Sequence, residues 1–313
     1  MFTKQIKSMQ SYSHTTKEFF VQQSKRTFTI TIIISSLLMF VSCSLFTHKE
    51  KGKVIIISGQ SNATGNAWNM YLSEEEQQKY SRGFDNIYIN ARNSLTENNT
   101  EFFTPVTFGW GENKDTFGPE LGLSEVLSAE FEEEKFYIIK YSYSGAGLSE
   151  GPFNPINPGF AFSELLSHID SSLNKLKQMN LEPEIVAFCW MQGETDALSL
   201  SYAEEYYENE KALIDTLRNK YASSSIVGGM YFIDGAINGE ENTIWTYHEI
   251  VNGAKKRLSE ENNRNIYLDT NALFLTAMNE PIHNPDYAHY DSSSELELGR
   301  AFGKVIINIL KTT

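Results

Sequence analysis

Cysteine and histidine are scarce in this chain of 313 residues, which contains two cysteines and six histidines. The histidines are scattered and form no HExxH motif or Cys/His cluster, so we expect no metal site, and no motif indicates a cofactor. Cys189 lies in the apolar run IVAFCW, where a buried, unreactive thiol is the ordinary expectation. With 41% hydrophobic and 13% aromatic residues, the chain can form the core of one large α/β domain without disulfides or metal.

Basic residues are also few, with 26 Lys and Arg against 40 Asp and Glu and a net charge of -14. The first 42 residues carry an excess of positive charge, so the remainder is more acidic than the whole chain. An acidic body repels phosphate backbones and anionic lipid, which excludes nucleic acid and a charged membrane surface as electrostatic partners. Neutral substrates fit this charge better.

An apolar stretch over residues 28–46 follows the basic pair Lys25-Arg26 and resembles an export signal. Cys43 lies just behind its apolar core, as in a bacterial lipobox, where cleavage before the cysteine leaves a thiol to be acylated. We therefore predict a signal peptide over residues 1–43, a tether over residues 44–52 and one catalytic domain over residues 53–313. An uncleaved membrane anchor is the alternative. Both place the body outside the cytoplasm, with the lipidated form at an outer membrane or cell surface and a periplasmic location also open.

Apolar runs rich in β-branched residues alternate with amphipathic segments along the rest of the chain. Strands are predicted near residues 54–58, 86–90, 136–141, 185–190, 226–231 and 266–269. Helices are predicted near residues 119–134, 162–179, 200–221, 243–258 and 292–310. This alternation indicates an α/β fold with a parallel sheet covered on both faces, in which ligands bind beyond the carboxyl ends of the strands.

The first of these strands ends in Gly59-Gln60-Ser61-Asn62. A serine at this position can project its hydroxyl into a site, although the segment does not match the G-x-S-x-G elbow because Ala63 replaces the second glycine. Taken alone, Ser61 is equally consistent with a turn or helix-capping residue. It is our candidate nucleophile.

Asp286 and His289 lie in a proline-containing loop immediately before the C-terminal helix. An aspartate three residues ahead of a histidine lets one segment supply both a general base and the carboxylate that orients it. A surface histidine in a polar loop is the plainer interpretation. Parallel α/β topology can bring this loop to the edge of the sheet where Ser61 lies.

Two further segments follow later strands and could stabilise an oxyanion. Gly145 lies in a glycine-containing turn after the third strand, where a backbone N–H can approach a ligand closely. Gln192, in the segment WMQGETD, offers a side-chain N–H. Glu194 and Asp196 of that segment are expected to cap the next helix or brace the loops.

Together these segments resemble the SGNH hydrolases, in the branch that includes sialate O-acetylesterases and acetylxylan esterases (carbohydrate esterase family 6 and relatives). The resemblance covers roughly residues 53–310. Five segments carry it, namely Gly59-Gln60-Ser61-Asn62, Phe117-Gly118-Pro119-Glu120-Leu121-Gly122, Gly145-Ala146-Gly147-Leu148, the WxQGExD match at residues 190–196, and the D-x-x-H match at Asp286 and His289. Two segments depart from the usual pattern, with Ala146-Gly147 in place of Thr-Ser and Tyr287-Ala288 between the aspartate and the histidine.

The resemblance implies a three-layer α/β/α sandwich with a parallel sheet, the flavodoxin-like SGNH hydrolase fold. It implies a serine esterase that removes O-acetyl groups from carbohydrates through an acetyl-serine intermediate, without a cofactor. Ser61 and His289 would be catalytic, with Asp286 as a third member. Gly145 and Gln192 would bind the oxyanion, with Asn62 and Glu194 also placed at the site.

Two other functions stay open at this point. A non-catalytic glycan-binding lipoprotein of a surface uptake system could keep the fold and use its aromatic loops. A lipase-like or thioesterase SGNH enzyme would instead need a broad apolar acyl pocket. The combination of Ser61, His289 and Gln192 favours the carbohydrate esterase, with an acetylated carbohydrate as partner and membrane contact only through the N-terminal lipid anchor.

Overall fold

The computed structural model describes residues 22–23, 49–93, 99–239 and 244–312. The predicted signal peptide with its lipidation site Cys43, and most of the tether, lie outside the described residues. Residues from Glu50 to Thr313 form one unit. In the part of the chain that is described, no helix has the length and hydrophobicity needed to cross a membrane.

The first strand is built from a run of aliphatic residues that is buried almost without interruption. It begins at Glu50, so the last three residues of the predicted tether belong to the sheet. The strands are β1 (Glu50–Gly59), β2 (Ala67–Trp68), β3 (Ile87–Asn93), β4 (Thr104–Pro105), β5 (Thr116–Phe117), β6 (Phe136–Ser142), β7 (Leu181–Met191), β8 (Tyr231–Gly235) and β9 (Asn265–Leu268).

The helices lie in the segments between and after these strands. They are α1 (Ser61–Thr64), α2 (Glu74–Arg82), α3 (Glu120–Glu130), α4 (Phe160–Gln178), α5 (Leu200–Tyr221), α6 (His248–Glu261) and α7 (Ser292–Thr312). Sequence periodicity predicted five of them to within a few residues at most ends. It missed the four-residue α1 and also α2, which is exposed along most of its length but carries a capping box between Ser73 and Glu76.

Seven of the described strands form one sheet in the order β4-β3-β6-β1-β7-β8-β9. All neighbours are parallel except the edge strand β4, which pairs antiparallel with β3. β6 lies between β3 and β1, so the order is not the simple flavodoxin order 2-1-3-4-5. β1 is central, with β3 and β6 on one side and β7, β8 and β9 on the other. The crevice where ligands bind in such sheets therefore lies directly beyond the end of β1.

Both faces of the sheet are covered by helices. Every residue of β6 is buried, and neighbouring residues on this strand point to opposite faces. Lys140 contacts Glu120 of α3 on one face, whereas Tyr141 donates a hydrogen bond to Glu164 of α4 on the other. This arrangement confirms the predicted three-layer α/β/α architecture.

The strand predicted near residues 226–231 was misplaced, because β8 begins only at Tyr231. Gly228 and Gly229 both have positive φ, of 85° and 92°, and form a turn that an extended strand cannot contain. Val227 is accordingly 88% exposed. The apolar residues of this segment wrongly indicated a strand, whereas its two adjacent glycines indicated the turn that the structure contains.

His168 of α4 is a buried histidine that makes the stability of the fold depend on pH. Its Nε2 atom lies 3.1 Å from the carbonyl oxygen of Asn90. Burial lowers the pKa of His168 to about 4, and the charges of Lys175 and Arg92 act in the same direction. The unfolded chain binds a proton at this position below about pH 6.5, whereas the folded protein resists it until about pH 4. Stability is therefore lost as pH falls through this window.

We expect His168→Gln to abolish this part of the pH dependence. Between pH 7 and pH 5, the wild-type free energy of unfolding should fall by about 2 kcal/mol more than that of the variant. Urea unfolding at both pH values measures the difference. The exposed His283→Asn is the matched control and should track the wild type, and equal pH dependence of wild type and His168→Gln would refute the assignment.

Candidate active site

The candidate nucleophile lies on a sharp turn at the end of the central strand. β1 ends at Gly59, whose φ is 142° and where a Cβ atom would lie 1.9 Å from the carbonyl oxygen of Met191. Only glycine lets the chain pass so close to β7. Gln60 then donates its N–H to the same carbonyl, and Ser61 opens α1 with 7% of its surface exposed. As the first residue of a helix, Ser61 also has a backbone N–H without an intrahelical acceptor.

Asp286 and His289 form the predicted acid–base pair. The Oδ1 atom of Asp286 accepts the backbone N–H groups of Ala288 and His289 at 2.8 and 2.9 Å. Its Oδ2 atom lies 2.6 Å from His289 Nδ1. Partial burial raises the pKa of Asp286, but the hydrogen bonds from the His289 ring, His289 N–H and Ala288 N–H outweigh it and leave that pKa below its usual value. An ionised Asp286 assigns the ring proton to Nδ1 and leaves Nε2 as the basic atom.

The side chain of Asn62 connects the serine turn to the histidine loop. Its Nδ2 atom donates to the carbonyl oxygen of Ala288 at 3.3 Å, and its Oδ1 atom accepts the N–H of Tyr290 at 3.2 Å. Ala288 and Tyr290 are the two neighbours of His289, so the residue after Ser61 holds the histidine backbone on both sides. The structure thus brings Ser61, Asp286 and His289 to one edge of the sheet. Among the described residues no hydrogen bond joins Ser61 to His289, as is common in free enzymes, where such bonds tighten on substrate binding.

Glu194 lies in the interior directly behind this pair. Its Oε1 atom accepts a hydrogen bond from Asn62 Nδ2 at 2.8 Å, and its Oε2 atom is buried without a hydrogen-bond partner. Burial raises the pKa of Glu194, against the lowering effects of the Asn62 hydrogen bond and of the charges on Lys255 and His289. Asn62 links Glu194 to the loop of the base, since the same Nδ2 atom contacts Glu194 and the carbonyl oxygen of Ala288. The contacts of Glu194 make it an anchor for Asn62, which matches the bracing role expected for this segment.

Gly145 lies on the open side of the site. The preceding turn is fixed where Tyr143 donates its N–H to the carbonyl oxygen of Gly59 at 3.1 Å. Gly145 has a φ of 72°, and a Cβ atom added there would meet no atom within 4 Å. Its backbone therefore borders free space next to the serine turn, where an N–H donor for an oxyanion is needed.

The contacts of the Gln192 side chain differ from those expected of a donor to the oxyanion. It is fully buried, and its Nε2 atom lies 2.6 Å from Asp196 Oδ2, 3.1 Å from the carbonyl oxygen of Ala146 and 3.3 Å from Gln60 Oε1. An amide has two hydrogens, and these three acceptors already compete for them. Its Oε1 atom accepts the hydroxyl hydrogen of Tyr206. In this conformation Gln192 braces the loops and has no hydrogen available for a bound oxyanion.

Several residues that support the site were not singled out from the sequence. Lys140 of β6 is buried, pairs with Glu120 at 2.5 Å, and donates to the carbonyl oxygens of Thr64 and Trp110, which holds the end of α1 from beneath. A lysine in the apolar strand FYIIKYS was the available signal, since lysines are almost never buried unless paired.

Asp291 plays a similar part for the histidine loop. Its carboxylate accepts the hydroxyl of Thr276, the backbone and side-chain N–H groups of Asn279, and the N–H of Glu280. The loop that carries His289 is thereby folded back on itself before α7 begins. The position of Asp291 directly before a helix was the signal for such a residue.

Metal ligation has no candidate among the described residues, since no group of three or more His, Cys, Asp or Glu side chains there could hold an ion. The chemistry that the arrangement supports is proton abstraction from Ser61 by a histidine oriented by a carboxylate. Such a constellation performs acyl transfer.

Comparison with known structures shows the fold. NanS is similar over 85% of this chain and 99% of its own length, with a TM-score of 0.62 and 15% identity. A protein from Arabidopsis thaliana aligns over 82% of this chain and 98% of its own, with a TM-score of 0.58 and 16% identity. A carbohydrate acetylesterase from Xanthomonas citri aligns over 83% of this chain and 57% of its own, with a TM-score of 0.51 and 12% identity.

Sequence comparison gives a more specific result. No curated protein matches the chain. A family model described as carbohydrate esterase, sialic acid-specific acetylesterase, matches residues 51–308, which include all the site residues described above and all of the sheet except Glu50. The chain therefore belongs to this family of carbohydrate esterases and is a carboxylic ester hydrolase.

Proposed function

We propose that the protein removes acetyl groups from carbohydrates with Ser61 as nucleophile and His289 as general base. The observation that carries the proposal is the contact of 2.6 Å between His289 Nδ1 and Asp286 Oδ2, held beside Ser61 through Asn62. A glycan-binding protein without activity would have no need of a base oriented in this way. The preorganised pair therefore favours the enzyme.

The reaction proceeds by acyl transfer in two stages. His289 Nε2 takes the hydroxyl proton of Ser61 as Oγ attacks the acetyl carbonyl, and the resulting imidazolium returns that proton to the departing sugar oxygen. The acetyl group is then bonded to Ser61 Oγ. In the second stage His289 takes a proton from water, the water oxygen attacks the acetyl carbon, and Ser61 Oγ leaves with the proton as acetate is released.

The negative oxygen formed in each stage needs hydrogen-bond donors that are already in place. The backbone N–H groups of Ser61 and Gly145 supply these donors, since Gly145 borders free space beside the serine turn. Gln192 contributes indirectly, because it fixes Gln60 on one side of Ser61 and Ala146 next to Gly145. Asp286 stabilises the imidazolium and is not itself protonated.

O-acetylated sialic acid is the substrate class that the family description supports, with acetylated xylan and other glycans as alternatives. A panel of acetylated sialic acids, acetylated xylo-oligosaccharides and a long-chain ester, read by acid release, distinguishes them. Preferred hydrolysis of the long-chain ester would instead indicate a lipase-like enzyme.

We also propose that the protein is exported and anchored by acylation of Cys43. Support comes from the sequence alone, in which the basic pair Lys25-Arg26 precedes an apolar stretch that ends around this cysteine. Two acyl chains would hold the enzyme stably at a membrane surface, either in the periplasm or at the cell surface, whereas a single chain binds only weakly and reversibly.

Replacing the nucleophile or the base should nearly abolish activity. We expect Ser61→Ala and His289→Ala each to lower turnover on an acetylated sugar by about 10⁴-fold or more, and Asp286→Ala to lower it less, because the first two act as one unit. Turnover should fall in acid, because a protonated imidazole cannot act as a general base. The lowered pKa of Asp286 favours the ionised carboxylate that orients the histidine ring.

The measurement is kcat and KM for the three variants, with folding checked by circular dichroism and a pH profile of the wild type. Ser81→Ala, an exposed serine variant on α2, should keep the wild-type activity. A folded His289→Ala enzyme with wild-type turnover would rule out this mechanism.

Gln192→Ala should reduce stability as well as turnover. The truncation removes one hydrogen bond from the buried Asp196 and one from the Tyr206 hydroxyl, which should cost about 1 to 3 kcal/mol of unfolding free energy. Urea unfolding and kcat are measured together, with the half-buried Gln77→Ala of α2 as control. A loss of about 10² to 10³ in kcat with unchanged stability would instead show that Gln192 is an oxyanion donor.

Cys43→Ser should release the protein from the membrane fraction or block its processing. Fractionation of cells and mass spectrometry of the mature N-terminus test this, with Cys189→Ser as the matched control that leaves anchoring unchanged. A mature N-terminus at any residue other than Cys43 would contradict the lipid anchor.

A further inference from the structure

Backbone strain is concentrated on the loop that carries the general base. Among the described residues, four that are not glycine have positive φ, and three of them lie between β9 and α7, namely Phe274, His283 and Tyr287. L-residues with large side chains adopt this conformation at a cost. Such strain clusters at functional sites, where the surrounding structure imposes it.

Tyr287 is notable within this set because it lies inside the turn that forms the acid–base pair. Its φ is 61°, and the turn is closed by Asp286 Oδ1, which accepts the N–H groups of both Ala288 and His289. The turn geometry requires this φ, yet glycine or asparagine would satisfy the geometry with less strain. The chain nevertheless places an aromatic side chain there and leaves it 50% exposed.

Exposed apolar side chains lie on the loop that carries Tyr287 and on the segment that follows the serine turn. The segment that follows the serine turn packs on the histidine loop, since Ile282 donates its N–H to the hydroxyl of Tyr71 and Ser292 donates its hydroxyl to the carbonyl oxygen of Trp68. Met70 and Ile282 on these two segments are 66% and 56% exposed. These exposed apolar side chains offer a surface for the apolar face of a sugar ring.

We infer that Tyr287 is a specificity-determining residue, whose ring packs against the C–H face of the sugar that carries the acetyl group. The inference rests on the proposed deacetylation of carbohydrates. A sugar ring is rigid and presents a flat apolar face, so it gains from an aromatic surface in a way that a small aliphatic alcohol cannot. Because Tyr287 is two residues from His289, a sugar held on its ring would lie close to the base.

The test compares two substrates and four variants. Tyr287→Asn and Tyr287→Gly remove the ring and tolerate the positive φ, whereas Tyr287→Phe keeps the ring. Phe274→Asn is the matched control, because Phe274 has a φ of 53° and is 87% exposed on the same loop but lies outside the acid–base turn. An O-acetylated monosaccharide and ethyl acetate are the substrates, and acetate release is the readout.

We expect Tyr287→Asn and Tyr287→Gly to lower kcat/KM on the acetylated sugar by about tenfold, mainly through KM, in line with the loss of one aromatic contact. On ethyl acetate they should stay within about twofold of the wild type. Tyr287→Phe and Phe274→Asn should behave as wild type on both substrates, and melting temperatures should not fall.

Three results would overturn the inference. They are an unchanged kcat/KM of Tyr287→Asn on the sugar, equal losses on both substrates, and an equal loss in Phe274→Asn or Tyr287→Phe. A wild-type enzyme that hydrolyses neither substrate would instead overturn the proposed function, so the two failures are distinguishable.

Discussion

The amide of Asn62 is the contact on which the geometry of the site depends. It lies in a turn only four residues long and forms hydrogen bonds with Glu194 of the loop after β7 and with Ala288 and Tyr290 of the loop before α7. Along the chain, Asn62 is 132 residues from Glu194 and 226 residues from Ala288. A mechanism that needs Ser61 and His289 within reach of each other therefore relies on a side chain that takes part in no chemistry.

Several charged side chains are buried around this contact. They hold neighbouring segments in place more than they stabilise the fold. Lys140 pairs with Glu120 beneath α1, and Lys255 pairs with Asp234 at 2.5 Å beside the loop after β7. Replacing such buried pairs by apolar residues is often neutral or stabilising. Glu194 also keeps a buried oxygen without a hydrogen-bond partner. Burial raises the pKa of Glu194 and so disfavours its charged form, and its hydrogen bond to Asn62 is what it contributes to the site.

The sequence was sufficient for the fold and for the pairing of Asp286 with His289. Aliphatic runs such as residues 54–58 predict strands buried on both faces, and the Asp286-to-His289 spacing predicts a pair that the structure places in contact at 2.6 Å. The roles of side chains that bond to other loops could not be predicted, because they depend on which loop lies opposite. Gln192 is one example, because its amide contacts Asp196 and the carbonyl oxygen of Ala146. Lys140 is another, because its ammonium group contacts the carbonyl oxygens of Thr64 and Trp110. Backbone strain at Tyr287 has no local sequence signal and appears only in the folded chain.

The central claim is that Asn62 holds the histidine loop in position to activate Ser61, and covalent labelling tests it without knowledge of the natural substrate. A small alkyl fluorophosphonate reacts only with a serine that has an oriented base. Peptide mapping of the labelled protein should place one adduct on Ser61, and folded Asn62→Ala should react at least about tenfold more slowly, since misplacing a catalytic group by a fraction of an ångström has effects of this size or larger. Labelling at another serine, or equal rates in the wild type and the variant, would contradict the account.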